Sequence, residues 1–79
     1  MNHAKREKEM DQVAGRLQRR CIKQELPVRE VQYDVLEMGG EWLHVIGDDT
    51  ILHIDVSGLT SEQAVELGWE KIQTVYGKA

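Results

Sequence analysis

The spacing of the apolar residues changes twice along this chain, and each change marks a new type of secondary structure. Between residues 4 and 24 the apolar side chains recur at intervals of three and four residues, which is the period of a helix. They are Met10, Val13, Ala14, Leu17 and Cys21. Pro27 ends this segment, because the residue before a proline is disfavoured in the helical conformation. We therefore predict a helix over residues 4–24.

The segment that follows has the two-residue period of β-strands. Apolar and polar side chains alternate from Val31 to Val35, as they do in a half-buried strand. Turn signals at Gly39-Gly40 and at residues 47–50 divide the segment. The pattern predicts an antiparallel meander with strands over residues 28–37, 42–47 and 50–56.

The helical period returns in the last part of the chain. Thr60 and Gln63 have the spacing of a capping box, in which the two side chains bind each other's backbone N–H groups. This predicts a helix over residues 61–76. The whole chain, residues 1–79, is then a single α+β domain. Its order is α-β-β-β-α, with a three-stranded antiparallel sheet packed by two helices.

The lengths of the turns decide which side chains face the core. A two-residue loop at Asp48-Asp49 places His44 opposite His53. In the first hairpin, a two-residue loop at Gly39-Gly40 would turn Asp34 towards the apolar face, so we predict a loop of three or five residues. The predicted core face carries Val31, Tyr33, Val35, Leu43, Val45, Leu52, Ile54 and Val56.

The opposite face of the sheet holds the candidate for metal chemistry. We expect Asp34, His44 and His53 to lie in one row across the three strands. A carboxylate and two imidazoles are ligands that Zn²⁺ accepts, and two adjacent imidazoles also form a pH-responsive pair. Exposed strand residues without any function give the same pattern. We expect no metal and no cofactor, and keep these three residues as the candidates for a metal site.

Trp42 lies on that same face. Leu36, Ile46 and Ile51 are expected to surround it, and an exposed apolar patch of this kind marks a contact surface. The alternative, which we expect, is that the first helix covers this face. An uncovered face would also permit a homodimer.

Charge is unequally distributed between the two parts of the chain. Residues 1–24 carry seven basic and three acidic side chains, a net charge of +4, whereas residues 25–79 carry three basic and eleven acidic side chains, a net charge of −8. A surface of one sign steers partners of the opposite sign. The predicted partner-binding residues are Glu62, Glu66, Glu70, Asp48, Asp49 and, if exposed, Trp42. Glu37 and Glu41 are expected to add to the acidic surface.

The basic residues of the first helix suggest an alternative. Arg16, Arg19, Arg20 and Lys23 share one helical face, which we call the basic stripe. Such a stripe can bind phosphates or remain a solvated helix surface.

Several classes of function are disfavoured by what the chain lacks. An enzyme needs a nucleophile or base held by a second group, and no such pair is visible, so we expect a non-enzymatic protein. The single cysteine, Cys21, cannot form an internal disulfide and is expected to be buried. Neither a signal peptide nor a membrane-spanning run is apparent. These observations predict a cytoplasmic protein without membrane contact.

The α-β-β-β-α order resembles that of double-stranded RNA-binding domains over the whole chain. That family carries a lysine cluster at the start of its second helix, where it contacts phosphates. The matching segment here is Thr60-Ser61-Glu62-Gln63-Ala64, followed by Glu66, and its negative charge would repel RNA. The resemblance therefore implies the arrangement of elements and not the binding of RNA.

In size and charge the chain also resembles phage-encoded inhibitors of host defences, anti-CRISPR proteins among them, which occupy a basic surface on a large target. We therefore predict a small protein-binding module that docks an acidic surface on a basic protein, such as a nucleic-acid-binding complex. The alternative is a nucleic-acid-binding module that uses the basic stripe.

Overall fold

The elements follow one another as the change in apolar spacing predicts. In the computed structural model, which describes residues 3–77, they are α1 (His3–Lys23), β1 (Val28–Val35), β2 (Glu41–Gly47), β3 (Ile51–Asp55) and α2 (Ser61–Tyr76). The strands form one antiparallel sheet in the order β1-β2-β3, so the predicted α+β class and element order are confirmed. β1 ends two residues earlier than predicted, and Leu36 N–H donates to the Gly40 carbonyl across the loop that follows; β3 is one residue shorter at each end.

Both hairpin loops have lengths that agree with the predictions: the first has an odd number of residues, and the second has two. Val35 pairs with Glu41 across a five-residue loop, in which Gly39 and Gly40 have φ angles of 82° and 111° that favour glycine. The Asp48-Asp49 hairpin brings His44 opposite His53, as predicted. The apolar alternation of β1 therefore points towards the core, although Val35 at the end of the strand remains 54% exposed.

Both helices pack on the same face of the sheet. The buried apolar side chains of the strands that meet them are Val28, Val31, Leu43, Val45 and Ile54. The two helices approach each other closely at Gly68, where an added Cβ would lie 2.7 Å from Leu17 Cδ1. The capping box at the start of α2 is present: Gln63 N–H donates to Thr60 Oγ1 and Thr60 N–H donates to Gln63 Oε1.

The other face of the sheet has no helix on it in the described part of the chain. The expectation that the first helix covers this face is therefore wrong. The physical reason is that the apolar stripes of α1 and α2 are both buried against the same strand residues and against each other, which leaves neither stripe free to cover a second face.

Between residues 3 and 77, neither helix combines the length with the apolar composition that crossing a bilayer requires.

Candidate functional site on the open face of the sheet

The uncovered face combines apolar and acidic residues. We call it the open face, and it consists of the outward-pointing strand residues Glu30, Gln32, Asp34, Trp42, His44, Ile46, Ile51, His53 and Asp55, together with Leu36. None of these residues is lysine or arginine; the exposed Arg29 lies at the bulge of β1 next to Glu30, and its Nε is 3.7 Å from Asp48 Oδ1. Ile51 is 59% exposed and Leu36 44% exposed, and the carboxylates Glu30, Asp34 and Asp55 lie on the two outer strands, so the face combines exposed apolar groups with negative charge.

Trp42 lies between two aspartates. Its direct cross-strand partners are Asp34 in β1 and Asp55 in β3. The indole is half-buried, and its Nε1 would lie 3.1 Å from a Cβ added at Gly40. The absence of a side chain at Gly40 therefore lets the indole pack beside the first hairpin loop, whereas the sequence pattern indicated only a turn at this glycine.

A shallow cavity of about 370 Å³ lies beside this indole. Its lining consists of Leu36, Trp42, His44 and His53, and we call it the Trp42 pocket. Its volume falls at the lower end of the range for small-ligand sites. Aromatic and aliphatic walls with carboxylates nearby suit a ligand that is both apolar and cationic.

The two histidines of this pocket contact each other directly. Their Nδ1 atoms are 2.7 Å apart, and the ring centroids are 4.8 Å apart at an interplanar angle of 85°. His44 Nε2 also lies 3.4 Å from Asp34 Oδ2. With neutral rings, one proton arrangement suits both contacts: His44 Nε2–H points to Asp34, and His53 Nδ1–H donates to His44 Nδ1.

The predicted row of Asp34, His44 and His53 is corrected by the register. Gln32, and not Asp34, stands directly opposite His44, because the first hairpin loop has five residues. Asp34 reaches His44 only as a diagonal neighbour. Within the described residues, no group of three or more His, Cys, Asp or Glu side chains has an arrangement that could hold a metal ion. His44 and His53 line the Trp42 pocket, and Asp34 is connected to it through its contact with His44.

Asp55 is fixed in place by the turn that follows β3. Its Oδ1 accepts a hydrogen bond of 2.9 Å from the Ser57 N–H. This bond lowers the pKa of Asp55, because a donor to the carboxylate favours its charged form. A carboxylate held in a fixed orientation thus lies on the strand next to Trp42.

Glu41 belongs to a partly buried hydrogen-bond network and not to the free acidic surface, because its side chain is only 19% exposed. Its carboxylate accepts two hydrogen bonds from the Arg6 guanidinium, of 2.6 and 2.9 Å. Tyr33 OH donates a third at 2.6 Å, and Gly58 N–H a fourth at 3.1 Å. Arg6 is the main cause that lowers the pKa of Glu41 to about 2, while burial and the adjacent Glu41 raise the pKa of Tyr33 to about 12.

The predicted acidic residues of the second helix lie on the other side of the molecule from Trp42. Glu62, Glu66 and Glu70, which we call the acidic helix surface, are exposed on the side of α2 away from the sheet. Asp48 and Asp49 lie in the hairpin between β2 and β3. This hairpin meets the C-terminal end of α2, where Thr50 contacts Tyr76. A single flat partner cannot contact Trp42 and the acidic helix surface together.

The basic stripe is partly engaged by α2. Arg20 Cζ lies 4.2 Å from the centre of the Trp69 ring, and Arg16 Nη1 lies 3.9 Å from Glu62 Oε1. Arg19 folds back over Gly15, where an added Cβ would lie 3.2 Å from Nη1. The stripe therefore adjoins a carboxylate and an aromatic ring, which makes it less available to a phosphate backbone.

Cys21 is buried, as predicted, and burial raises the pKa of its thiol, which disfavours a reactive thiolate. Comparison with protein-family models, with curated proteins and with solved structures gave no match.

Proposed function

We propose that this protein is a non-enzymatic protein-binding module that docks on a basic protein through the open face of its sheet. The observation that supports this most is the composition of that face. Trp42, Ile46 and Ile51 are apolar, Asp34 and Asp55 are acidic, and no lysine or arginine is among the residues of the open face. Aromatic anchors with a charged rim are typical of protein interfaces.

The acidic helix surface has a different part in this proposal. Within the described residues Glu66 and Glu70 make no ion pair, and Glu62 makes only the long one to Arg16. Exposed charges outside a contact change mainly the rate of association. Glu62, Glu66 and Glu70, with Asp48 and Asp49, would therefore attract a basic partner from a distance, while the open face holds it.

The biological role that we propose is inhibition. Proteins that bind nucleic acids present basic surfaces, and a small acidic protein that covers such a surface competes with the nucleic acid. An inhibitor of a host defence complex, of the phage-encoded anti-CRISPR type, would act in this way. The net charge of −4 and the acidic residues of the open face support this role.

A matched pair of variants tests the docking surface. Ile51→Lys places a cation on the open face, and Ile22→Lys places one on α1; the two isoleucines are 59% and 58% exposed, so both substitutions spare the core. The partner is captured from native lysate with the wild-type protein, and recombinant partner is then titrated by calorimetry. We expect a basic partner whose affinity falls more than about tenfold with Ile51→Lys and hardly changes with Ile22→Lys.

Other outcomes would contradict the docking proposal. Unchanged affinity of Ile51→Lys for the partner would show that the open face is not the contact surface. A loss of affinity seen only in Glu66→Lys/Glu70→Lys would show that the partner contacts the acidic helix surface. Binding to random duplex DNA or RNA that weakens steeply with salt, and is lost in Arg19→Glu/Lys23→Glu, would favour the alternative nucleic-acid-binding function.

A further inference from the structure

The two tryptophans of this chain have opposite surroundings. Trp69 already has a cation above it, because Arg20 Cζ lies 4.2 Å from the centre of its ring. Trp42 is flanked by Asp34 and Asp55, and no cation of the described residues stands over its ring. One indole is thus paired with an arginine of the molecule itself, and the other has a carboxylate as its cross-strand neighbour on each side.

We propose that the Trp42 pocket binds one arginine side chain of the basic partner, with the guanidinium over the Trp42 indole and between Asp34 and Asp55. This inference rests on the proposed function and names the residue of the partner that the open face recognises. In addition to the apolar contacts of the open face, the partner would then contribute one specific chemical group, a planar cation.

The indole of Trp42 provides a surface on which a guanidinium can stack. A guanidinium is attracted to the face of an indole and stacks on it, and the attraction grows as the pair loses water. Trp42 is half-buried and forms one wall of a cavity of about 370 Å³. Leu36 forms another wall, against which the aliphatic part of an arginine can pack.

The carboxylates are the reason why we expect the Trp42 pocket to bind arginine more tightly than lysine. Asp34 and Asp55 stand on the strands on either side of Trp42, so their backbones are roughly 10 Å apart, or two strand spacings. A guanidinium carries five donors spread in a plane and can reach groups on both sides, whereas an ammonium is a compact point charge. The Ser57 N–H holds Asp55 in orientation, which lowers the cost of ordering this side chain on binding.

The histidines make the pocket compatible with a cation when they are neutral. Their 2.7 Å contact between Nδ1 atoms has room for one proton. A second proton there would place two donors against each other and add positive charge beside Trp42.

Other concave regions carry weaker arguments. Two depressions of about 510 Å³ border α1, but their linings include no aromatic ring other than Tyr33, whose hydroxyl is already bound to Glu41. The depression of about 320 Å³ on α2 is lined by Leu59, Gln63, Glu66, Leu67 and Glu70 and has no aromatic wall.

Short peptides test the proposal directly. The probes are acetyl-Gly-Arg-Gly-amide and the same peptide with lysine or citrulline in place of arginine; citrulline keeps the shape and removes the charge. Binding is followed by ¹⁵N NMR at the Trp42 indole N–H. We expect saturable shifts at Trp42 with a dissociation constant of the order of millimolar, and affinities about tenfold lower for lysine and citrulline.

Two variants identify the groups responsible. Asp34→Asn/Asp55→Asn removes both charges, while the amide oxygen that the substitution introduces at position 55 can still accept the hydrogen bond from Ser57 N–H. Trp42→Leu removes the indole. Both variants should weaken arginine binding about tenfold or more, whereas the control Glu66→Gln/Glu70→Gln should not. Thermal melting and the dispersion of the amide signals establish that each variant is folded.

The different failures can be told apart. Equal affinity for the arginine and citrulline peptides, or unchanged binding in Asp34→Asn/Asp55→Asn, overturns the arginine pocket. If partner binding is nevertheless lost in Ile51→Lys, the proposed docking function stands without it. If the arginine peptide binds at Trp42 while no protein partner depends on the open face, the pocket stands and the proposed function is wrong.

Discussion

At the scale of single residues, Glu41 joins more parts of the molecule than any other side chain described above. Its carboxylate binds Arg6 of α1, Tyr33 of β1 and the Gly58 backbone after β3. The Glu41 side chain is only 19% exposed, and charge-assisted, bidentate hydrogen bonds of this kind are among the strong ones in proteins. This network therefore fixes the start of β2 relative to α1.

We predict that Glu41→Gln lowers the free energy of unfolding by about 2 kcal/mol, because it removes the charge that Arg6 and Tyr33 bind. Urea denaturation at neutral pH measures the loss. Glu37→Gln, at an exposed position in the first hairpin loop, is the matched control and should change stability by less than about 0.5 kcal/mol. Equal effects of the two substitutions would show that the network contributes nothing.

The same substitution has a pH signature. Folding lowers the pKa of Glu41 from 4.5 to about 2, so the stability it contributes is fully present above pH 4.5 and is lost as the pH falls towards 2. In Glu41→Gln this part of the acid-induced loss disappears, and the curves of wild type and variant should converge at low pH. Parallel curves across that range would contradict the assignment.

Local patterns in the sequence predict the contacts that are local in the structure. The Thr60–Gln63 capping box spans three residues and is recognisable from its spacing. Glu41 and Arg6 are 35 residues apart, and their pairing depends on where α1 lies on the sheet. Nothing in the sequence around Glu41 distinguishes it from the exposed Glu37, so the sequence alone places both on the acidic surface.

At the scale of elements, the contact between the two helices depends on one glycine. Gly68 is buried in α2, and a Cβ there would lie 2.7 Å from Leu17 Cδ1 and 3.6 Å from Leu43 Cδ1. Leu17 is itself fully buried in α1. An added methyl group would therefore have to separate the helices or displace a packed side chain.

We predict that Gly68→Ala lowers the free energy of unfolding by about 1–3 kcal/mol, as overpacking of a core does. Gly15→Ala in α1 is the matched control, because its Cβ would meet only the Arg19 guanidinium at 3.2 Å, which can move into solvent. That control should raise stability by about 0.5–1 kcal/mol, since alanine favours a helix over glycine. Both values come from thermal or urea unfolding, and destabilisation by Gly15→Ala alone would contradict the packing argument.

The side of the sheet on which α1 packs is the element-scale feature that the sequence does not determine. Periodicity predicts each helix and strand, and the parity of the turns predicts which β1 residues face the core. Trp42, Ile46 and Ile51, however, give the second face an apolar pattern too, so a helix could have covered either face. The distance between Asp34 and His44 also depends on whether the first loop has three or five residues, which its two glycines do not specify.

At the scale of the whole molecule, the unequal charge along the chain becomes two separate acidic regions. The acidic helix surface and the open face lie on opposite sides of the fold, because α2 packs on the core face of the sheet. The basic stripe lies on α1, next to Glu62. The charges are thus only partly neutralised, and the acidic regions can act on a partner in different ways.

This distribution also argues against association of two copies through the open face. A symmetric dimer would enclose the carboxylates Glu30, Asp34 and Asp55 of both copies in one interface, and none of the residues that form the open face is a lysine or arginine that could neutralise them. Like charges brought together at an interface cost several kcal/mol. We therefore predict a monomer in sedimentation velocity at neutral pH, even at the concentrations used for NMR.

Charge neutralisation offers the control. If the acidic residues prevent association, Asp34→Asn/Asp55→Asn should self-associate more strongly than the wild type. A wild-type dimer disrupted by Ile51→Lys would instead show that the open face is occupied by a second copy and not by a basic partner.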